Sequence, residues 1–66
     1  MNLKEFITKF ILLHDNIAVF DNKTNEQYFE GKARELYRSN NDILMRDVAN
    51  IEPDYNMPGW IIIVIY

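Results

Sequence analysis

The seven residues at the end of this 66-residue chain, residues 60–66, are all apolar or aromatic. Isoleucine and valine predominate among them, and β-branched side chains favour strands over helices. Because successive side chains of a strand point to opposite faces, both faces of this segment are apolar. A strand that is apolar on both faces belongs in the interior of a sheet. The segment therefore predicts a central strand, which we expect beside the first strand of the chain.

Upstream of this segment, the first half of the chain predicts a helix followed by a β-hairpin. Asn2 and Glu5 have the spacing of a capping box, and apolar residues recur at helical intervals to about residue 12. A short apolar segment at residues 17–20 and an extended pattern at residues 27–30 enclose the turn-forming residues 21–25, as in a hairpin. Gly31 is expected to close the hairpin.

The second half predicts another short helix and a second pair of strands. Ala33, Leu36 and Tyr37 fall on one side of the helix. Residues 43–51 fit both a helix and a bulged strand, and we favour the strand. A connection containing both prolines leads to the terminal strand. The predicted fold is one α+β domain covering residues 1–66, with a four-stranded, largely antiparallel sheet and two short helices in the order αββαββ.

Composition narrows the classes of protein that this chain can belong to. It has no cysteine, which suits a reducing cytoplasm and excludes disulfides and thiolate metal sites. The terminal apolar run is far shorter than the roughly 20 residues of a membrane-spanning helix. A net charge of -3 disfavours direct contact with nucleic acid. We expect a cytoplasmic chain that binds neither membranes nor nucleic acid directly.

No pattern for catalysis or for a cofactor is recognisable. His14 is the only histidine and Ser39 the only serine, and neither has neighbours that would form a hydrolase triad. The stretch that begins at Asp21 resembles a calcium loop only superficially, since Lys23 stands where an oxygen ligand is needed. Two isolated glycines do not make a phosphate-binding loop. We therefore expect no catalytic residue, metal or cofactor.

Two groups of residues are candidates for contact with a partner. If both helices pack on one face of the sheet, the other face exposes an apolar patch, which is a candidate protein interface. If the helices lie on opposite faces, this patch is covered. The patch consists of Phe20, Trp60, Ile62, Val64 and Tyr66. The second group is a candidate acidic surface formed by Asp42, Asp47, Glu52 and Asp54.

Parts of the chain also resemble known proteins. These parts are residues 17–21, residues 28–33 with Leu36, residues 48–51 and residues 63–66. They resemble a group of small αββαββ-type proteins encoded by bacteriophages and mobile elements of Gram-positive bacteria. The resemblance implies a bacterial cytoplasm, in the context of phage infection, and implies no reaction.

We therefore expect a non-catalytic protein-binding module of a phage or mobile element, for which a second copy of the chain, forming a homodimer, is one candidate partner. The alternative is an inhibitor of a bacterial defence nuclease or other host enzyme, in which the acidic surface imitates phosphates. A third hypothesis, an enzyme that uses paired carboxylates, requires two of those acids to converge in a cleft.

Overall fold

The computed structural model describes all 66 residues and contains two α-helices, one short 3₁₀ helix and one sheet. The elements are α1 (Leu3–Phe10), β1 (Asn16–Asp21), β2 (Gln27–Lys32), α2 (Ala33–Arg38), the 3₁₀ helix (Asp42–Met45), β3 (Val48–Pro53) and β4 (Trp60–Ile65). The predicted α+β class and the order αββαββ are confirmed. Within residues 43–51, the favoured strand is confirmed only for 48–51, in β3, whereas 43–45 belong to the 3₁₀ helix. Gly31 lies inside β2. Neither helix is long and apolar enough to cross a membrane.

The four strands form one mixed sheet in the order β2-β1-β4-β3. The two outer pairs are antiparallel, whereas β1 and β4 run parallel, with Val19 opposite Ile63. The terminal strand is therefore central and lies beside the first strand, as its two apolar faces predict. Because β1 and β4 are parallel, the intervening chain must cross from one end of the sheet to the other. That crossover carries α2 and the 3₁₀ helix.

The first helix begins at the predicted capping box. The Asn2 side chain accepts a hydrogen bond from the backbone N–H of Glu5 at 2.8 Å, and the Glu5 carboxylate accepts one from the backbone N–H of Asn2 at 3.1 Å. These two bonds satisfy backbone donors that a helix start leaves free. Leu3, Phe6 and Ile7 form the buried side of the helix, which therefore packs on the sheet along one stripe.

The core lies on a single face of the sheet. Ile17 and Val19 of β1 and Ile63 and Ile65 of β4 alternate along their strands, and all four are fully buried. The same cluster contains buried residues from both helices and from the 3₁₀ helix: Leu3, Phe6, Ile7, Ala33, Leu36, Ile43 and Leu44. Both helices therefore cover the same face, which settles the choice between the two arrangements that the sequence left open.

The start of the chain covers part of the outer edge of β3. The backbone N–H of Val48 donates to the Met1 carbonyl at 3.0 Å, and the N–H of Leu3 donates to the Arg46 carbonyl at 2.9 Å. Asn2 and Asp47 form an antiparallel bridge between these bonds. This pairing protects the beginning of an edge strand, which would otherwise present free backbone groups to other chains.

Candidate functional site

The face of the sheet opposite the helices carries an apolar band across its two central strands. Ala18 and Phe20 of β1 lie directly opposite Ile62 and Val64 of β4. Trp60 continues the band at the start of β4. Phe20, Trp60, Ile62 and Val64 are all partly exposed, and only Ala18 is buried. Because every buried helical residue belongs to the core on the other side, no helix covers this open face.

Tyr66 follows β4 and is the most exposed residue of the predicted interface, with 62% of its surface accessible. Its backbone N–H donates to the Asp47 carbonyl at 3.0 Å, and its own carbonyl accepts a hydrogen bond from Nε of Arg46. Because alternate residues of a strand share a face, the Tyr66 side chain lies on the same face as those of Trp60, Ile62 and Val64. The structure thus places the five predicted interface residues along one face.

Two carboxylates border the apolar band on opposite sides. Glu30 of β2 lies opposite Ala18, and Glu52 of β3 lies opposite Ile62. Since residues directly opposite one another share a face of the sheet, one row across the open face reads Glu30, Ala18, Ile62, Glu52. Both glutamates are exposed. The one ion pair in the molecule joins other residues, so neither carboxylate has a basic partner within the chain.

The four residues of the predicted acidic surface are spread from the 3₁₀ helix to the turn after β3, and only Glu52 and Asp54 are near each other in sequence. Asp42 begins the 3₁₀ helix, and Asp47 precedes β3 and accepts a hydrogen bond from Tyr66 through its backbone carbonyl. Glu52 lies in β3, five residues beyond Asp47, a distance of about 16 Å along an extended strand. Asp54 caps the following turn by accepting from the backbone N–H of Asn56. No three acidic or histidine side chains are arranged to hold a metal ion.

A polar cluster that the sequence did not reveal lies at the end of β1, on the helical side. One oxygen of Asp21 accepts hydrogen bonds from the backbone N–H groups of Lys23 and Thr24, at 2.7 and 2.9 Å. The other accepts from the Tyr28 hydroxyl at 2.9 Å and from the Arg46 guanidinium at 2.8 Å. Asp21 is 8% exposed. Its carboxylate is thus occupied by structural hydrogen bonds, which leave no free oxygen for calcium.

Hydrogen bonds keep the Asp21 carboxylate of this cluster ionised. The backbone N–H of Thr24 makes the largest contribution, followed by the Arg46 guanidinium, and together they hold the pKa of the Asp21 carboxyl well below its ordinary value. The guanidinium also lies over the ring of Tyr28, 5.2 Å from its centre. The cluster joins β1 and β2 to the segment before β3. Its role is to fix one end of the sheet.

A second apolar surface lies on the helical side, between α1 and the outer part of β3. It is an open groove of about 610 Å³, lined by Met1, Phe6, Phe10, Val48, Ala49, Asn50 and Ile51. The rings of Phe6 and Phe10 stand 5.3 Å apart, and Phe10 is 67% exposed. No sequence pattern marks this groove as a whole. The one sign of it in the sequence is Phe10, an apolar residue of α1 that lies outside the core.

The fold and the open face define a small α+β protein with an uncovered, partly apolar sheet surface and an acidic border. Comparison with protein-family models, with curated proteins and with solved structures finds no match.

Proposed function

We propose that this protein is a non-catalytic protein-binding module whose contact surface is the open face of the sheet. The observation that carries the proposal is the apolar band of Phe20, Trp60, Ile62 and Val64 on a sheet face that no helix covers. An uncovered apolar sheet face is a surface that another protein layer stabilises, because sheets bury their apolar faces against a second layer.

The aromatic residues of the band are suited to binding. Tryptophan is among the residues that contribute most to binding free energy at protein interfaces, and it loses little side-chain entropy when it is fixed. Trp60 lies on a strand within a hydrogen-bonded sheet, so the backbone beneath it is rigid. A partner would therefore meet a preorganised surface, which lowers the entropic cost of association.

A non-catalytic role is supported by how the reactive side chains are used. The one carboxylate with a strongly lowered pKa, Asp21, is bound by four donors of the chain itself. The acids Asp42, Asp47, Glu52 and Asp54 are spread from the 3₁₀ helix to the turn after β3, and only Glu52 and Asp54 are near each other in sequence. Catalysis by paired carboxylates needs two such groups to converge on one substrate. The spread of these acids also gives less support to the phosphate-mimic hypothesis, which stays a prediction.

We place this binding activity in a bacterial cytoplasm, as part of a phage or mobile element. The absence of cysteine supports a reducing compartment. The resemblance of residues 28–33 and 63–66 to small phage-encoded proteins supports the origin. In this setting the partner would be a host or phage protein, or a second copy of the chain.

The immobilised wild-type chain should retain a protein from bacterial lysate, and the immobilised Trp60→Ser variant should fail to retain it. An interface tryptophan at a binding hot spot contributes about 2 kcal/mol or more, so we expect the affinity to fall at least about tenfold. The matched control is Phe10→Ser, which removes an aromatic side chain that is 67% exposed on the helical side. Both variants are first checked for cooperative thermal unfolding. Retention by Trp60→Ser, or loss with Phe10→Ser alone, would contradict the proposal.

A further inference from the structure

Resting on the proposed function, we propose that the open face binds an amphipathic helix of another protein, with basic residues on both sides of its apolar stripe. The observation is the row Glu30, Ala18, Ile62, Glu52, in which two exposed carboxylates enclose an apolar centre. Neither carboxylate is paired with a basic group of the chain. A partner therefore has to supply both an apolar contact and two positive flanks.

The dimensions of the band fit one helix. Four neighbouring strands separate the Glu30 and Glu52 backbones by three strand spacings, or about 14 Å. An α-helix with its side chains is about 10 to 12 Å across, so a single helix lies between the two carboxylates. From Trp60 to Val64 the band is about 13 Å long, which corresponds to two to three helical turns. A contact of this size is at the small end of specific interfaces, where weak association is common, so we expect binding at roughly micromolar concentration.

The charges on the open face favour a basic occupant. Besides Glu30 and Glu52, the border includes Lys32, which lies two residues beyond Glu30 in the row of Trp60 and whose Nζ donates to the His14 carbonyl at 3.4 Å. The row through the middle of the band is thus bordered only by acids. Lysine or arginine residues on both flanks of a helix would approach these carboxylates and leave the apolar stripe against Ile62. Ion pairs between these basic residues and the border carboxylates would increase the association rate and make that rate dependent on salt concentration.

A second copy of the chain fits the same face less well. Two copies stacked face to face are related by a twofold axis that lies in the plane between the sheets. An axis that runs along the strands or across them through this row places the acidic border of one copy over the acidic border of the other. Like charges placed opposite each other oppose association. The charge pattern therefore opposes these two dimer arrangements and favours a different chain.

The test uses two synthetic helix-stabilised peptides of 14 residues and the fluorescence of Trp60, the only tryptophan in the chain. Both peptides carry the same leucine stripe. One has lysine on both flanks and the other has glutamate. We expect the lysine peptide to shift the Trp60 emission saturably at micromolar concentration, to bind at least tenfold more tightly than the glutamate peptide, and to weaken as salt is raised.

Charge-reversal variants show whether the two border carboxylates are responsible. Glu30→Lys with Glu52→Lys should reverse the preference in favour of the glutamate peptide. The control is Glu26→Lys with Glu35→Lys, which changes the net charge equally but alters the hairpin turn and α2. It should keep the preference for the lysine peptide. Equal binding of the two peptides, binding of neither, or an equal effect of the control pair would overturn the inference.

Two outcomes separate this inference from the proposed function. If Trp60→Ser releases a captured protein but the lysine peptide does not bind, the open face is an interface and the basic-helix inference is wrong. If the wild-type chain forms a dimer that Trp60→Ser dissociates, the occupant is a second copy, and the inference is wrong while the proposed function holds.

Discussion

We expect removal of residues 63–66 to leave a chain that does not fold. Residues 63–65 form the second half of β4, which lies between β1 and β3, and Tyr66 follows it. Ile63 and Ile65 are fully buried in the core, and burying one such side chain contributes about 1.5 to 3 kcal/mol. The two together contribute roughly 3 to 6 kcal/mol, against a net stability of about 5 to 15 kcal/mol for a domain. The pairing with both neighbouring strands is lost as well.

Circular dichroism during heating measures this effect. We expect a cooperative transition for the full chain and none for the truncated one. Tyr66→Ala serves as the control, because it removes only an exposed side chain and keeps the backbone bonds to Asp47 and Arg46. That variant should melt within a few degrees of the wild type. A truncated chain with an unchanged transition would show that β4 is not central to the fold.

Replacing Asp21 with Asn should destabilise the protein more than any other single change of a charged residue. The substituted amide places an NH₂ group, a donor, where a carboxylate oxygen accepts from the Tyr28 hydroxyl and the Arg46 guanidinium. It also leaves Arg46 without its ion-pair partner. We expect the Tm to fall by roughly 10 °C or more. The control Asp42→Asn, at an exposed position that begins the 3₁₀ helix, should change the Tm by only a few degrees.

The same cluster predicts how stability depends on pH. Because folding lowers the pKa of Asp21, its contribution is complete above the pKa of the unfolded chain, near 4, and is lost as the pH falls toward the folded value. The wild-type Tm should therefore decrease between pH 5 and pH 2 more steeply than that of Asp21→Asn. Parallel decreases for the two proteins would show that the carboxylate does not stabilise the fold through its charge.

Much of the secondary structure could be predicted because its signals are local. The capping box at Asn2 and Glu5 marks the start of α1, and the two apolar faces of residues 60–66 mark a central strand. The stretch from 43 to 51 was harder, because Leu44, Val48 and Ile51 fit both periodicities. The structure divides it between two short elements, and a single assignment could not describe both.

Features that depend on register or on the path of the chain could not be predicted. Which face the helices cover is decided by how the chain crosses from β1 to β4, and apolar patterns at Phe20 or Ile62 do not encode that path. Glu30 and Glu52 become neighbours of one apolar band only through the register of three strand pairs. Asp21 and Arg46 are 25 positions apart in sequence. A turn near Asp21 was predictable, but its basic partner was not.

The measurement that tests the central claim most directly is methyl NMR of the isotope-labelled chain with the protein that it retains from lysate. The open face is the binding surface in our account. Partner addition should therefore shift or broaden the methyl signals of Ile62 and Val64, and leave those of Ile7 and Ile51 on the helical side unchanged. Perturbation confined to Val48 and Ile51, which line the groove beside α1, with Ile62 and Val64 unaffected, would contradict the account.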